Sequence, residues 1–159
     1  MSKNKIVQAT KADIESMVNL SYQKRKAYDK AQGQFWRYAE GAEEVQHKWF
    51  EELLRFDYYV ILVAKSELET IGFIIGRLVK APEVYDPGGL TLMIDDFCVK
   101  SEVDWQSVGL ELMNSIRSVA KEKGGSQFYV VSGAHDNAKC EFLEKFGLSN
   151  AAKWYVGKI

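Results

Sequence analysis

Across residues 92–124 the hydrophobic pattern changes period once, and the change marks a strand that feeds a helix. Residues 92–99 are apolar and β-branched with two acids, Asp95 and Asp96, at their middle. That composition suits a strand buried on both faces, although Asp is depleted from such strands and two in a row need a reason. From Val108 onward, Val108, Leu112, Ile116 and Val119 with Ala120 recur at helical spacing, while Glu111, Asn114, Arg117 and Lys121 take the other side. Arg117, Lys121 and Lys123 fall in the last turns and Gly124-Gly125 stops the helix. The loop over 104–109 therefore opens a helix, whose first turn has unpaired N–H groups and a partial positive charge that suit a phosphate.

The same reading extends along the chain. Residues 6–9 suit a short first strand, and Thr10 with Asp13 three residues on reads as a helix start. Ile14, Met17, Val18, Ser21 and Arg25 then form one helical face. A second helix is predicted over 43–55 from Val45, Trp49 and Leu53 with Phe50 and Leu54. Residues 58–65 and 71–80 read as an antiparallel hairpin, with Gly72 and Gly76 inviting a bulge or a close backbone approach. The Pro/Gly-rich stretch 81–89 is a loop. Beyond the central helix, 127–131 reads as another buried strand. Asp136 caps a helix whose inner face is Ala138, Phe142 and Phe146, and 153–159 makes a last strand.

Composition narrows the classes. A chain of 159 residues, 47% hydrophobic and 27% charged, is expected to form one domain over 1–159. Its net charge of −1 and lack of a basic block argue against a nucleic acid or an anionic membrane as partner. The longest apolar run, 58–64, is short of the roughly 20 residues a membrane span needs. The N-terminal stretch lacks a signal-peptide core, so a cytoplasmic location is expected. Cys98 and Cys140 are expected to be reduced thiols. No His or Cys pair has ligand spacing, so no metal is expected.

The stretch Ile94-Asp95-Asp96-Phe97-Cys98-Val99, followed without a gap by Val108-Gly109 and Leu112-Met113, resembles the signature of the GNAT superfamily of acetyl-CoA-dependent N-acetyltransferases. In that signature an apolar-acid-acid-apolar-x-Val strand leads through Arg-Gly-x-Gly-Ile-Gly/Ala into a helix with paired aliphatics. Here Asp104, Trp105 and Ser107 stand where the loop has Arg, Gly and Gly. The resemblance implies an α+β fold with a mixed, mostly antiparallel sheet of six to seven strands flanked by about four helices. It also implies acetyl-CoA as co-substrate. The backbone of Phe97, Cys98 and Val99 would hold the pantetheine arm in a cleft between the fourth and fifth strands. The N–H groups from Trp105 through Gln106, Ser107, Val108 and Gly109 to Leu110 would hold the pyrophosphate, with Asn137 beside the cofactor.

The chemistry implied is transfer of an acetyl group to a primary amine of a small molecule or peptide, with a carboxylate removing the ammonium proton. By strand alternation Asp95 shares a face with Met93, Phe97 and Val99, and Asp96 with Ile94 and Cys98, so only one acid faces the cleft. Resemblance points to Asp95, with Asp96 the other candidate. The competing reading makes both structural, one paired with Arg77 or a lysine on a neighbouring strand. His135 is an alternative base, and Cys140 is read as a half-buried thiol. The family's acid Tyr falls on Leu143, which is expected to pack in the core. Tyr28, Trp36 and Tyr85 are candidates for the amine pocket, because aromatic faces attract cations. A chain so altered in its loop could instead be a catalytically impaired ligand-binding or interaction module. Exposed strand edges would permit a homodimer.

Overall fold

The computed structural model describes residues 4–67 and 69–159. Strand β1 (Lys5–Gln8) leads through a short 3-10 turn into α1 (Ile14–Ala31), and α2 (Ala42–Leu53) precedes β2 (Tyr59–Ser66) and β3 (Glu69–Val79). After the loop come β4 (Leu90–Val99), a 3-10 helix (Glu102–Gln106), α3 (Val108–Glu122), β5 (Gly125–Val130) and α4 (Asn137–Lys145). The sheet runs β1-β2-β3-β4-β5, antiparallel except for the parallel pair β4–β5. The parallel pair follows from the connection, since α3 carries the chain back to the same end of the sheet.

Each face of the sheet carries its own apolar cluster. On one face, Leu62, Ile74, Leu92, Ile94 and Phe97 pack against Val108, Leu112 and Ile116 of α3 and Phe142 of α4. On the other, Ile61, Val63, Phe73 and Ile75 pack against Ile14, Met17 and Val18 of α1 and Phe50 and Leu53 of α2. Gly76 permits the close approach on the α3 face: a Cβ there would lie 2.8 Å from Leu92 Cδ1 and 3.1 Å from Ile116 Cδ1. The start of α1 is as expected. Asp13 Oδ2 accepts from Thr10 N (2.9 Å) and Thr10 Oγ1 (3.0 Å), and Asp13 pairs with Lys65 at 2.6 Å.

The sheet has five strands among the described residues, not six to seven. Residues 153–159, expected as a last strand, have no regular structure and are exposed throughout. Their alternating apolar residues supply strand propensity but find no pairing partner among the described residues; Trp154 meets the edge of Phe35, centroids 6.2 Å apart. In consequence β5, expected to be buried, is the edge of the sheet, with Ser126, Gln127 and Tyr129 exposed. In α2 the period is as expected but the face is turned by one residue. Gln46, Phe50 and Leu53 go inward, and Val45 and Trp49 face solvent.

Candidate active site

Between β3 and β4, Ile75 pairs with Asp96 and Gly76 with Ile94, so Asp95 is the extra residue of a β-bulge. The bulge shifts the alternation of β4 by one. Ile94 and Phe97 both enter the α3-side core, whereas Cys98 enters the α1-side core and Asp96 turns to α1, in place of the strict alternation expected from the sequence.

The two acids therefore lie in different surroundings. Asp96 is 7% exposed; its carboxylate accepts from Lys24 Nζ and from Ser21 Oγ (3.3 Å), and Arg25 lies 3.7 Å away. Burial alone would push this carboxyl up, but Lys24, then Arg25 and Lys139, hold it below the usual range. Burial likewise opposes the charge on Lys24, and the Asp96 carboxylate overcomes it and raises the lysine. The neighbouring Cys98 thiol is pushed up to about 12, chiefly by burial, and is inert as a nucleophile. Asp96 is thus an ionised anchor that ties β4 to α1.

Asp95 is exposed, yet the protein around it removes enough water to raise its pKa, with Asp96 adding to the shift and Arg77 opposing it. Along β4 it follows Thr91 and Met93, which floor a groove of about 650 Å³. Gln127 and Tyr129 of β5 complete the floor, and Tyr85, Asp86 and the two prolines of the 81–89 loop form the wall. Gln127 Nε2 donates to Thr91 Oγ1 at 2.9 Å, which fixes the floor across β4 and β5. Tyr129 is raised first by burial and then by the charge of Asp95.

On the far side of the bulge β4 and β5 part. Their pairing ends at Ile94 with Val130, and the bond from Val131 N to Ile94 O (3.3 Å) follows it. Into the gap comes Lys139 of α4, whose Nζ donates to Phe97 O and to Val131 O, each at 3.2 Å. The ammonium also lies 5.6 Å from the ring centroids of Phe97 and Trp105. Lys139 is only 2% exposed, and burial, with Lys24 adding to it, pulls its pKa down to about 8. Asp136 caps α4 by accepting from Lys139 N at 3.2 Å, which sets where the side chain starts. Farther along, Gly133 N donates to Tyr28 Oη at 3.0 Å, and the Tyr28 ring meets the edges of His135 (4.5 Å) and Trp36 (5.2 Å).

The turn that leads into α3 is closed by its own bonds. Asp104 Oδ2 accepts from Ser101 N (3.1 Å), Asp104 N donates to Ser101 O and Ser107 N to Asp104 O, so the loop is folded into a 3-10 helix. Trp105 is buried, stacked on Phe142 and edge-on to Phe97 with centroids 5.5 and 4.8 Å apart. Gly109 makes room for it: a Cβ there would meet Trp105 Cε3 at 2.8 Å.

Residues 25–148 match the sequence model described as "Acetyltransferase (GNAT) family". The chain belongs to the GNAT acetyltransferase family. No curated protein matches it in sequence. In shape it is similar to a variant of the BH1408 protein from Bacillus halodurans (TM-score 0.84, 19% identity, 98% of this chain and 99% of that one). It is also similar to the aminoglycoside N-acetyltransferase AAC(6')-Iy solved in complex with CoA (0.76, 14%, 100% and 96%). A third is the ribosomal-protein-alanine N-acetyltransferase from Brucella melitensis biovar Abortus 2308 (0.68, 16%, 99% and 100%). At these identities the likeness concerns the fold.

Within a GNAT fold, an extended acyl-carrier arm would run along β4 beyond the bulge and its pyrophosphate would meet the start of α3. Phe97 O is engaged by Lys139, Gly133 N by Tyr28, and the 101–107 turn by its own capping bonds. In this arrangement Lys139 bridges Phe97 O and Val131 O, while among the described residues no bond engages the N–H groups of Val108, Gly109 and Leu110 at the start of α3. Val108 and Gly109 are buried, and Gln106, Ser107, Leu110 and Asn137 are exposed. Of the residues expected at the amine pocket, Tyr85 lines the groove, while Tyr28, packed against both Trp36 and His135, and Trp36 itself do not line it. Leu143 is buried, as expected. No cluster of His, Cys, Asp or Glu able to hold a metal occurs among the described residues, and no described helix is long and apolar enough to cross a membrane.

Sequence reasoning missed Lys24, Lys139 and Tyr129. A signal existed for Lys139. In the stretch 136–148 it falls on the Ala of the family pattern Asn-x-x-Ala-x-x-Phe-Tyr, a small residue replaced by a long cation.

Proposed function

We propose that this chain is an acyl-CoA-dependent N-acetyltransferase that moves an acetyl group from acetyl-CoA to a primary amine, on a small molecule or a peptide, seated in the groove beside Asp95. The observation that carries this reading is Asp95, the extra residue of the bulge, two residues along β4 from the groove-lining Met93 and raised in pKa by partial burial. An alkylammonium holds its proton to about pH 10 and must lose it before the nitrogen can attack a carbonyl. A carboxylate with a raised pKa accepts that proton more readily than an ordinary Asp, directly or through one water. Tyr85 and Tyr129 offer aromatic faces to the cation and Asp86 adds an opposite charge. The charge of Arg77 opposes the rise at Asp95 without reversing it. A cytoplasmic location and a homodimer through the β5 edge complete the proposal.

The test is release of free thiol from acetyl-CoA across a panel of polyamines, amino sugars and peptide N-termini. Asp95→Asn is expected to lower kcat by about 10²-fold or more with little change in KM, as for loss of a general base. Full activity in Asp95→Asn would remove Asp95 from the chemistry. The filled cleft favours one second reading, a GNAT-fold module that binds an amine in the groove without transferring to it. That reading requires calorimetric binding of an amine with no thiol release from any member of the panel.

A further inference from the structure

The gap between β4 and β5 is where the sheet leaves backbone groups unpaired, and the protein satisfies two of them with a side chain of its own. Buried carbonyls need donors. Phe97 O and Val131 O face each other across the parting strands, and the Lys139 ammonium sits between them. We infer that Lys139 is a latch on the donor cleft: it takes the place that an extended acyl-carrier arm needs between β4 and β5, and the arm enters only when the ammonium leaves Phe97 O and Val131 O. The inference rests on the transferase reading, because it concerns that reaction's donor.

Three observations make Lys139 a removable occupant and not a fixed part of the core. First, it has no carboxylate within ion-pair distance among the described residues. The nearby Asp96 is engaged by Lys24 and Arg25, and Asp136 turns an oxygen to the backbone of Lys139. Second, a buried ammonium held by carbonyls and ring faces alone is expensive to keep charged, and the depressed pKa of Lys139 records that cost. Third, the side chain is unbranched and springs from the first turn of a helix only nine residues long, so it can swing without moving the sheet.

The chemistry of the gap also says which donors can displace it. Two carbonyls on opposite walls ask for N–H donors spaced along a narrow chain, which the amides of a pantetheine arm supply. A compact donor such as acetyl phosphate has no N–H to offer and would leave the latch shut. Lys139 thereby becomes a specificity residue for the donor arm, acting on binding and not on the chemical step.

The experiment is titration calorimetry of the protein with coenzyme A for the wild type, Lys139→Ala and Lys139→Met, each checked for folding by its melting curve. If the cleft is open a tenth of the time or less, removing the latch tightens apparent affinity about ten-fold or more. Lys139→Met fills similar space without bonding the carbonyls and is also expected to bind more tightly than the wild type, which keeps the test decisive if the Ala variant collapses. Equal, measurable affinity in all three overturns the latch and leaves the transferase reading standing. No binding by any of them up to millimolar coenzyme A overturns both.

Discussion

Asp96 sits among Lys24, Arg25 and Ser21, and removing one member of the Lys24–Asp96 pair leaves the other charged and buried. Asp96→Ala is expected to cost about 3–5 kcal/mol by urea denaturation, and Lys24→Met a similar amount. The double variant should cost clearly less than the sum, because neither charge is then stranded. Asp95→Asn, exposed and outside that cluster, should stay within about 0.5 kcal/mol of the wild type. Opposite results at the two positions, a large stability loss at Asp95 and none at Asp96, would reverse the assignment of base and anchor. The contrast comes from a single inserted residue in β4, since without the bulge the two carboxylates would simply point to opposite faces of the sheet.

At the scale of elements, the turn from β4 into α3 is held by an aromatic stack. Trp105 lies against Phe97 and Phe142 and over Gly109. Gly109→Ala puts a methyl group into the indole and is expected to destabilise by about 1–3 kcal/mol, read from the urea midpoint. Trp105→Gly should cost about 3–5 kcal/mol, more than any effect of opening the α3 N-terminus could return. Most elements were legible because period and caps are local: Thr10 with Asp13, the α3 stripe from Val108 to Ala120, and Asp136 before α4 each appear where the residues put them. What was not legible depends on partners distant in sequence. The bulge at Asp95 depends on β3, the inward turn of Gln46 depends on Ser21 and Arg25 of α1, and a strand over 153–159 required a neighbour that the fold does not supply. Lys139 reads as a surface cation on a helix, and only the parting of β4 from β5 makes it a buried bridge.

For the whole molecule, the buried charges predict how stability varies with pH, and they act in different windows. For Asp13 and Asp96 burial is the largest influence and pushes upward, yet Lys65 with Thr10 and Lys24 with Arg25 bring each below its ordinary value in the folded chain. The unfolded chain therefore binds more protons in acid. Their stabilisation is fully present above about pH 4, the unfolded carboxylate range, and is lost as pH falls through the depressed folded values. Lys139 is depressed in the other class of group, to about 8 against 10.5 for a free lysine. Between those values the unfolded chain again holds the extra proton, so the contribution of Lys139 to stability should rise from pH 8 toward 10.5 as the buried ammonium is relieved of its charge. Lys24 has the opposite sign. Its raised folded value contributes stability below the free-lysine value that is lost only as pH rises beyond it. The groups facing Lys139 are Lys24 from α1, Asp96 and Cys98 from β4 and Asp136 at the start of α4. Of these, Cys98 is raised to about 12 against 9.0 for a free thiol, so above pH 9 it lowers stability and opposes the Lys139 rise, and Lys139 acts alone only between neutrality and pH 9. Melting temperatures measured from pH 7 to 9 should climb in the wild type and lose that climb in Lys139→Met. A wild-type curve that is flat or falling over the same range, or a Met variant that reproduces the wild-type climb, would show that the bridging ammonium is not under the strain of burial that the closed cleft implies.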